Sequence, residues 1–316
     1  MKAEMNARKE APRDLAAIRK LIAEHKRWDA IFALFGFACL MIGVLTFLAL
    51  FVDMAVKGLP RLTWDFFTNY PSRHATQAGI LSAWVGSTLV MVVTALVAVP
   101  LGVAAGVYLE EYARKNWVTD IIEINITNLA GVPSIVYGLL ALGLFVYQFG
   151  FGQSILSAGM TLALLILPVV IVATREAIRS IPQAIREGAY ALGATQWQTV
   201  SDHILPYSSA GILTGVIIGM ARAIGETAPI ITIGALTFIA FLPPSPVTAE
   251  PPFLNFEWLT SPFTVMPIQM FNWTSRPEAA FQFNAAAAGF VLVIMTLAMN
   301  GLAIWLRYRL RRNIKW

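Results

Sequence analysis

Long apolar stretches without a charged residue alternate along the chain with short segments that carry most of the charges. Residues 31–52 form one such stretch, and its 22 residues are enough to cross about 30 Å of hydrocarbon as an α-helix. Residues 124–174 lack a charge for 51 residues, which is too long for one helix, and the glycine-containing segment Phe149–Gln153 offers a turn. The pattern predicts six membrane-spanning helices, at residues 31–52, 80–109, 124–148, 154–174, 209–242 and 284–306.

Composition strengthens this prediction and excludes several classes of protein. Hydrophobic residues make up 57% of the 316 residues and charged residues only 13%, about half the usual share for a soluble domain. We therefore expect an all-α integral membrane protein. The one cysteine, Cys39, excludes an intrachain disulfide and a thiolate metal cluster, and the three histidines lie in no metal-ligand spacing. No metal site and no catalytic residue is predicted.

The distribution of basic residues predicts the orientation of the chain in the membrane. Of the 23 Lys and Arg residues, 18 lie on one set of alternating segments and four on the other, and the basic side is cytoplasmic. Both termini are therefore expected in the cytoplasm, with residues 1–30 as an N-terminal tail and 307–316 as a basic C-terminal tail. The N-terminal tail fits either an amphipathic surface helix or a solvated basic segment. Because the basic residues flank apolar stretches, no nucleic-acid partner is expected. Membrane lipid is an expected partner.

The cytoplasmic segment 175–208 contains two helix-start patterns. Ser180–Gln183 has the capping-box form S-x-x-Q, which predicts a helix that stops at Gly193. Thr195–Gln198 repeats the form and predicts a second short helix that ends before Pro206. A helix, a glycine turn and a helix are more than a connection between two spans needs. The segment is therefore interpreted as a contact loop, and the outer loop 243–283 either as a docking surface or lid, or as a segment anchored by interfacial aromatic residues.

The contact loop resembles the EAA loop of binding-protein-dependent ABC importers. Glu187–Ala189, Gly193 and Leu205–Pro206 stand at the spacing of that motif, although Gly188 replaces its central alanine and His203 an isoleucine. The resemblance implies that Glu187, Gly188, Ala189 and Gly193 couple this chain to a separate ATPase subunit. No Lys follows a Gly in the chain, so the phosphate-binding GxxxxGK[ST] loop is absent, in agreement with that division of labour.

Three further segments resemble the PstA family of phosphate permeases: Gly131–Gly138, Ala221–Pro229 and Pro267–Trp273. The resemblance implies a type I ABC importer permease with six transmembrane helices in the bacterial cytoplasmic membrane. It also implies a second, PstC-like permease, two PstB-like ATPase subunits and an extracytoplasmic PstS-like phosphate-binding protein. This chain would bind no cofactor, and ATP and Mg would be held by the ATPase subunits.

The fifth predicted span carries the residues that bear on a transport path. Gly211, Gly215 and Gly219 repeat every four residues, which predicts close contact with another helix. Arg222 and Glu226 are four apart and would share one helix face, and an arginine within a span costs about 2.5–3.5 kcal/mol. The pair is either a structural lock between helices or a gate in which Glu226 holds Arg222 when phosphate is absent. The Thr227 hydroxyl is a further donor, unless it bonds to its own helix.

The residues alone leave the substrate open. A permease for another oxyanion, such as sulfate, molybdate or phosphonate, would share the contact loop, and a membrane enzyme or a passive channel is the remaining alternative. Phosphate is implied by the resemblance to the PstA family.

Overall fold

A computed structural model describes residues 15–247 and 253–311 of the chain. Within these residues the protein is helical, and an isolated antiparallel bridge between Val247 and Leu254 is its one extended pairing. The helices are α1 (Leu15–Gly58), α2 (Trp64–Thr68), α3 (Leu81–Val107), α4 (Trp117–Leu129), α5 (Ser134–Ala141), α6 (Ile155–Arg179), α7 (Gln183–Ala191), α8 (Gln196–Thr199), α9 (Leu205–Ile224), α10 (Ala228–Ile233), α11 (Met266–Thr274) and α12 (Ala279–Arg311).

Three of these helices are extended by π-helical turns. Residues Tyr108–Tyr112 continue α3, Leu142–Gln148 continue α5, and Val200–Ile204 join α8 to α9. Five continuous helical segments are then long and apolar enough to cross a membrane, and α4 with α5 supplies a sixth crossing if this pair, bent by 105°, counts as one. The predicted all-α membrane fold is confirmed, with five crossings among the described residues, or six if the bent pair is one crossing.

Helix α1 includes the first predicted span and extends beyond it at both ends. Its part up to Asp53 is one structural unit, and the chain from Met54 onwards forms the other. Residues 15–30 of the predicted tail belong to α1 and form no separate helix, while residues 1–14 lie outside the described part of the chain. In the same way α12 runs to Arg311, through half of the predicted C-terminal tail.

Helix α6 lies between α3 and α9 and carries the largest share of the buried core. On one side a Cβ built on Gly106 would lie 2.6 Å from Thr174 Cβ, and one on Gly102 would lie 2.6 Å from Val170 Cγ1. On the other side a Cβ on Gly211 would lie 2.6 Å from Ala177 Cβ. The missing side chains therefore let three helix backbones approach closely, which is the main way helices gain contact energy in lipid.

The third predicted span, 124–148, begins at the wrong residue and is not one continuous helix. Helix α4 begins at Trp117, because the Asn116 side chain accepts a hydrogen bond from Thr119 N at 2.9 Å and caps it. The helix then breaks before α5. Pro133 has no N–H to donate to Leu129 O, four residues earlier, so the helical ladder stops there.

The fifth predicted span, 209–242, is also wrong. Helix α9 ends at Ile224, the connection passes through Gly225, and α10 is a separate helix of six residues. Pro229 lacks the N–H that would bond to Gly225 O, which explains the interruption. Helix α10 then ends at Gly234, whose φ of +95° suits glycine, and the chain up to residue 247 is non-helical.

The contact loop 175–208 differs from its prediction in two respects. Ser180 does not cap α7: its hydroxyl donates to Ala177 O at 2.7 Å at the end of α6, and α7 has Pro182 as an N-cap without a side-chain bond. The capping box at Thr195 is present as predicted. However, the helix that it opens does not stop before Pro206 but continues through the π-helical turn into α9.

The outer loop 243–283 contains a short helix of nine residues. Helix α11 begins at Met266, whose N donates to Ser87 Oγ of α3 at 2.8 Å. Its Trp273 is fully buried in a second cluster with Phe66 and Phe281. Pro267 stands in the first turn of α11, where a missing N–H costs little.

The packing of α9 on α6 predicts the effect of a side chain at Gly215. A Cβ there would overlap the Cβ of Ala173, so we expect Gly215→Val to destabilise the protein by about 1–3 kcal/mol through overpacking. The thermal midpoint of the purified protein in detergent should fall. Gly301→Val on α12 is the matched control, since a Cβ at Gly301 meets nothing within 4 Å. Equal midpoints for the two variants would contradict the packing described.

Candidate functional site

The two helix breaks of the protein lie against each other. Helix α5, which follows the first break, packs on α10, which follows the second. The contact is close because a Cβ on Gly138 would overlap Thr232 Oγ1 and would lie 2.6 Å from Pro229 Cα. The non-helical connection from Gly225 to Thr227 is therefore held in place from the side of α5.

The charged pair predicted in the fifth span is formed across this interruption. Arg222 stands in the last turn of α9, and its Nε donates to Glu226 Oε1 at 3.3 Å. Glu226 lies in the connection to α10, so the two residues do not share a continuous helix as the sequence suggested. The side chain of Arg222 is 40% exposed and that of Glu226 18%. A pair this open contributes little to stability.

The guanidinium of Arg222 retains most of its donors. Within residues 15–247 and 253–311, only Nε of this side chain makes a hydrogen bond, so both Nη groups have no protein acceptor. Thr227, at the start of α10, makes no capping hydrogen bond with its side chain either. The connection therefore presents a fork of N–H donors, beside a hydroxyl, of the kind that matches an oxyanion.

Tyr137 belongs to the same site, although sequence reasoning singled out only the segment that contains it. Its hydroxyl donates to Leu129 O at 2.8 Å and bridges the break between α4 and α5, and the same carbonyl also accepts from Val132 N at 3.1 Å. Tyr137 and Arg222 also interact electrostatically. The signal in the sequence was Pro133, whose missing N–H interrupts the helix at this point.

The space beside Glu226 does not form a closed substrate cavity. The enclosed void there measures about 10 Å³ and is bounded by Ser87, Ala223, Ile230 and neighbouring apolar side chains. This volume holds about one water molecule. An anion would therefore reach Arg222 from its exposed side.

The contact loop 175–208 forms a second candidate site, at the opposite end of α9. Glu187 and Gly188 are exposed, and a Cβ on Gly188 would meet nothing within 4 Å. Ala189 is buried and faces the protein, while Gly193 has the positive φ of +84° that ends α7. Three large side chains that the sequence analysis did not single out are exposed beside them: Tyr190, Leu192 at 91% exposure, and Trp197.

The three predicted packing glycines lie on one face of α9. Gly211 and Gly215 oppose the alanines of α6, and a Cβ on Gly219 would lie 3.4 Å from Ile166 Cβ. The contact at Gly219 is thus looser than at the other two. These glycines bring α9 to α6 within the same chain.

The described residues combine five membrane-length helical segments, or six with the bent pair, with an exposed helix-turn-helix loop and a broken, charged helix. This combination is typical of a membrane-embedded transport subunit. Residues 98–316 match the family described as binding-protein-dependent transport system inner membrane component, and the chain belongs to this family. The protein is thus an ABC importer permease subunit of the inner membrane, and a separate ATPase and a substrate-binding protein are its partners.

Individual relatives and a solved structure agree with this assignment. The chain is 32% identical to the "Probable ABC transporter permease protein YqgI" of Bacillus subtilis, over 86% of this chain and 92% of that protein. It is 31% identical to the "Phosphate transport system permease protein PstA" of Yersinia pestis, over 90% of this chain and 92% of that protein. A chain from a bacterial ABC transporter involved in import of the polysaccharide alginate has the same fold, with a TM-score of 0.56 at 14% identity, covering 94% of this chain and all of that one.

The contact between α5 and α10 predicts that Gly138→Ala impairs transport. The added Cβ overlaps Thr232 and the backbone of Pro229, which cannot rotate away, so α10 and the connection that holds Glu226 must shift. Overpacking of about 1–3 kcal/mol would lower the population of the competent arrangement about tenfold, and ATP-dependent transport with it.

Gly143→Ala is the control for this substitution, because it lies on the same helical segment and its Cβ would meet nothing within 4 Å. Transport by the Gly143→Ala permease should stay close to that of the unmodified protein. Undiminished transport by Gly138→Ala would show that the position of α10 does not matter.

Proposed function

We propose that this chain is a permease subunit for inorganic phosphate. Relatives such as the Yersinia pestis protein carry that substrate in their names, at about 30% identity over most of the chain. The observation that carries the proposal in the structure is the guanidinium of Arg222, 40% exposed at a helix break, whose two Nη groups have no acceptor among the described residues. A planar fork of N–H donors binds two oxygens of a phosphate at once.

Transport of another oxyanion is the second candidate, since sulfate, molybdate or phosphonate would accept hydrogen bonds from the same fork. The Bacillus subtilis relative is named as an ABC permease without a substrate, so the resemblance to that protein does not separate the candidates. Selectivity between oxyanions would then reside mainly in the extracytoplasmic binding protein.

The proposed assembly contains a second, PstC-like permease, two PstB-like ATPase subunits and a PstS-like phosphate-binding protein. The exposed surface of the loop around Glu187, with Leu192 and Trp197, supports docking of an ATPase there, because large exposed apolar side chains favour contact with another protein. In this assembly both termini and the contact loop are cytoplasmic. ATP and Mg are bound by the ATPase subunits, and this chain binds no cofactor.

In the proposed mechanism Glu226 holds Arg222 while the path is empty. ATP-driven closure of the ATPase subunits moves the loop around Glu187 and changes the relation of α9 to its neighbours. Phosphate that arrives from the binding protein then competes with the Glu226 carboxylate for the guanidinium of Arg222. The single hydrogen bond of 3.3 Å between the two side chains is weak enough to be exchanged in this way.

Uptake by the assembled transporter in vesicles tests the substrate. The permease, the second permease and the ATPase are reconstituted together, and the binding protein is added. Uptake of radiolabelled phosphate is measured with ATP either on the side of the membrane that carries the ATPase subunits or on the opposite side. We expect uptake only with ATP on the ATPase side, and inhibition by excess unlabelled phosphate but not by sulfate, molybdate or phosphonate. Competition by one of those oxyanions would assign the transporter to it, and uptake without ATP would indicate a passive channel.

The role of Arg222 is tested by exchange of the two charges. We expect Arg222→Gln to lower phosphate uptake about tenfold or more, because a hydrogen bond to a charged group contributes about 1.5–3 kcal/mol. The double variant Arg222→Glu, Glu226→Arg keeps an ion pair but moves the cation out of α9 into the connection. It should assemble normally and still transport poorly. Transport at near the unmodified rate by the double variant would remove Arg222 from the anion path.

A further inference from the structure

Two neighbouring carboxylates at the cytoplasmic end of α3 hold different parts of the protein. Glu110 and Glu111 lie in the π-helical turn Tyr108–Tyr112, where consecutive side chains point roughly 100° apart. Glu110 faces α6: its two carboxylate oxygens each lie 3.0 Å from Arg179 Nε, and one lies 3.5 Å from Arg175 Nε. Glu111 faces the contact loop instead.

Arg186 of α7 is the partner of Glu111. Its Nη2 lies 2.7 Å and its Nε 3.1 Å from Glu111 Oε1. The same guanidinium donates to Ile178 O at 3.1 Å and to Ile181 O at 3.0 Å. The side chains are only 18% and 6% exposed, for Arg186 and Glu111 respectively. One guanidinium therefore joins α7 to the ends of both α3 and α6.

The second helix of the contact loop is attached at the same point. Gln196 Nε2, at the start of α8, donates to the backbone oxygen of Glu111 at 2.5 Å. Glu111 thus receives a hydrogen bond from each of the two helices that make up the loop. A displacement of either helix acts directly on the end of α3.

Helix α7 has few other attachments to the protein. Ala189 is its one buried residue, and Ile185 packs at the edge of an apolar cluster formed by α3, α6 and the start of α9. That cluster consists of Val107, Ile178, Ile181, Val200 and Ile204. The cluster secures the two ends of the loop, whereas the direction of α7 depends on Arg186.

We propose that Glu111 and Arg186 form the joint that transmits the movement of α7 to α3. This proposal rests on the proposed docking of an ATPase at the loop around Glu187. Arg186 immediately precedes Glu187 on a helix, so a force applied at Glu187 reaches the guanidinium without an intervening flexible segment. Both residues are positioning residues: they act through α7 and contact neither the substrate nor ATP.

The contacts continue from this joint towards the charged connection. Through α3 the joint is linked to Glu110 and so to Arg175, whose Nη2 lies 2.5 Å from Glu123 Oε1 of α4. The other end of α4 carries Leu129 O, which accepts from the Tyr137 hydroxyl of α5. Helices joined at their ends by ion pairs and hydrogen bonds in this way can carry coupling between two sites, provided that coupling is measured.

Variants of the complete transporter in vesicles test the joint. Arg186→Gln removes the charge, Arg186→Lys keeps the charge without the fork, and Glu111→Gln removes the charge from the other partner. Arg114→Gln is the control, since Arg114 lies just beyond the same turn and is exposed, with no side-chain partner among the described residues. Three quantities are measured for each: ATPase subunit that co-purifies, ATP hydrolysis stimulated by the binding protein, and anion imported per ATP hydrolysed.

We expect Arg186→Gln and Glu111→Gln to retain the ATPase subunit but to lower both the stimulation and the anion imported per ATP about tenfold. Arg186→Lys should fall between Arg186→Gln and the unmodified protein, because lysine keeps a single charged contact. The double variant Arg186→Gln, Glu111→Gln should lose no more than either single variant, since one joint can be lost only once. Arg114→Gln should change nothing.

Two results would overturn the proposal. Unchanged import per ATP in Arg186→Gln would show that the pair does not transmit movement, and additive losses in the double variant would show that the residues act separately. If Arg186→Gln fails to accumulate in the membrane, Arg186→Lys and Glu111→Gln take its place. Unchanged import per ATP in both of these variants would then overturn the proposal. A failure of the phosphate assignment is recognised independently, because stimulated ATP hydrolysis reports on the joint whatever anion is carried.

Discussion

The close approach of α3 and α9 to α6 is the constraint on which the rest of the structure depends. In a bilayer, helices gain little from burying apolar side chains against one another, because lipid tails are equally apolar, so packing at small residues must supply the contact. Gly106 and Gly215 provide it on the two sides of α6. With these distances fixed, the C-terminal ends of α3 and α6 lie side by side, and the end of α9 is placed beside the buried core.

The two helix breaks follow from prolines that interrupt the helical hydrogen-bond ladder. Backbone polar groups in a membrane must find partners within the protein, and Leu129 O accepts from Val132 N and from the hydroxyl of Tyr137. Gly225 O loses its helical donor to Pro229, at the point where the chain turns from α9 into α10. Irregular backbone in such a place is a common feature of transporters at their transport paths. The irregular backbone accounts for the exposed guanidinium of Arg222. In a continuous helix Arg222 and Glu226 would lie on the same face.

Much of the fold could be predicted from the sequence because apolar length alone identifies membrane crossings. The start of α4 could not be predicted, because Asp120 and Glu123 make its first turns as polar as a loop. Glu123 is stabilised there by an ion pair with Arg175, which is distant in the sequence. The breaks at Pro133 and Pro229 were visible as prolines, but a kinked helix fits the same residues. The spacing of Arg222 and Glu226 predicted their contact correctly, but it predicted one continuous helix where α9 in fact ends at Ile224.

The position of the remaining charges bears on where an anion would pause in the proposed path. At the C-terminal ends of α3 and α6, Arg175, Arg179 and Arg186 are all engaged by carboxylates. The four carboxylates there, Glu110, Glu111, Glu123 and Glu176, outnumber them. This cluster has no excess positive charge to retain a phosphate. Because buried ion pairs add little stability compared with apolar packing, its charges are better explained by the specific orientation that they impose on α3, α4, α6 and α7. Among the described residues Arg222 is paired with one carboxylate through a single nitrogen, so its other donors remain open. In the proposed path an anion would therefore pause at Arg222 and would not be held at the C-terminal ends of α3 and α6.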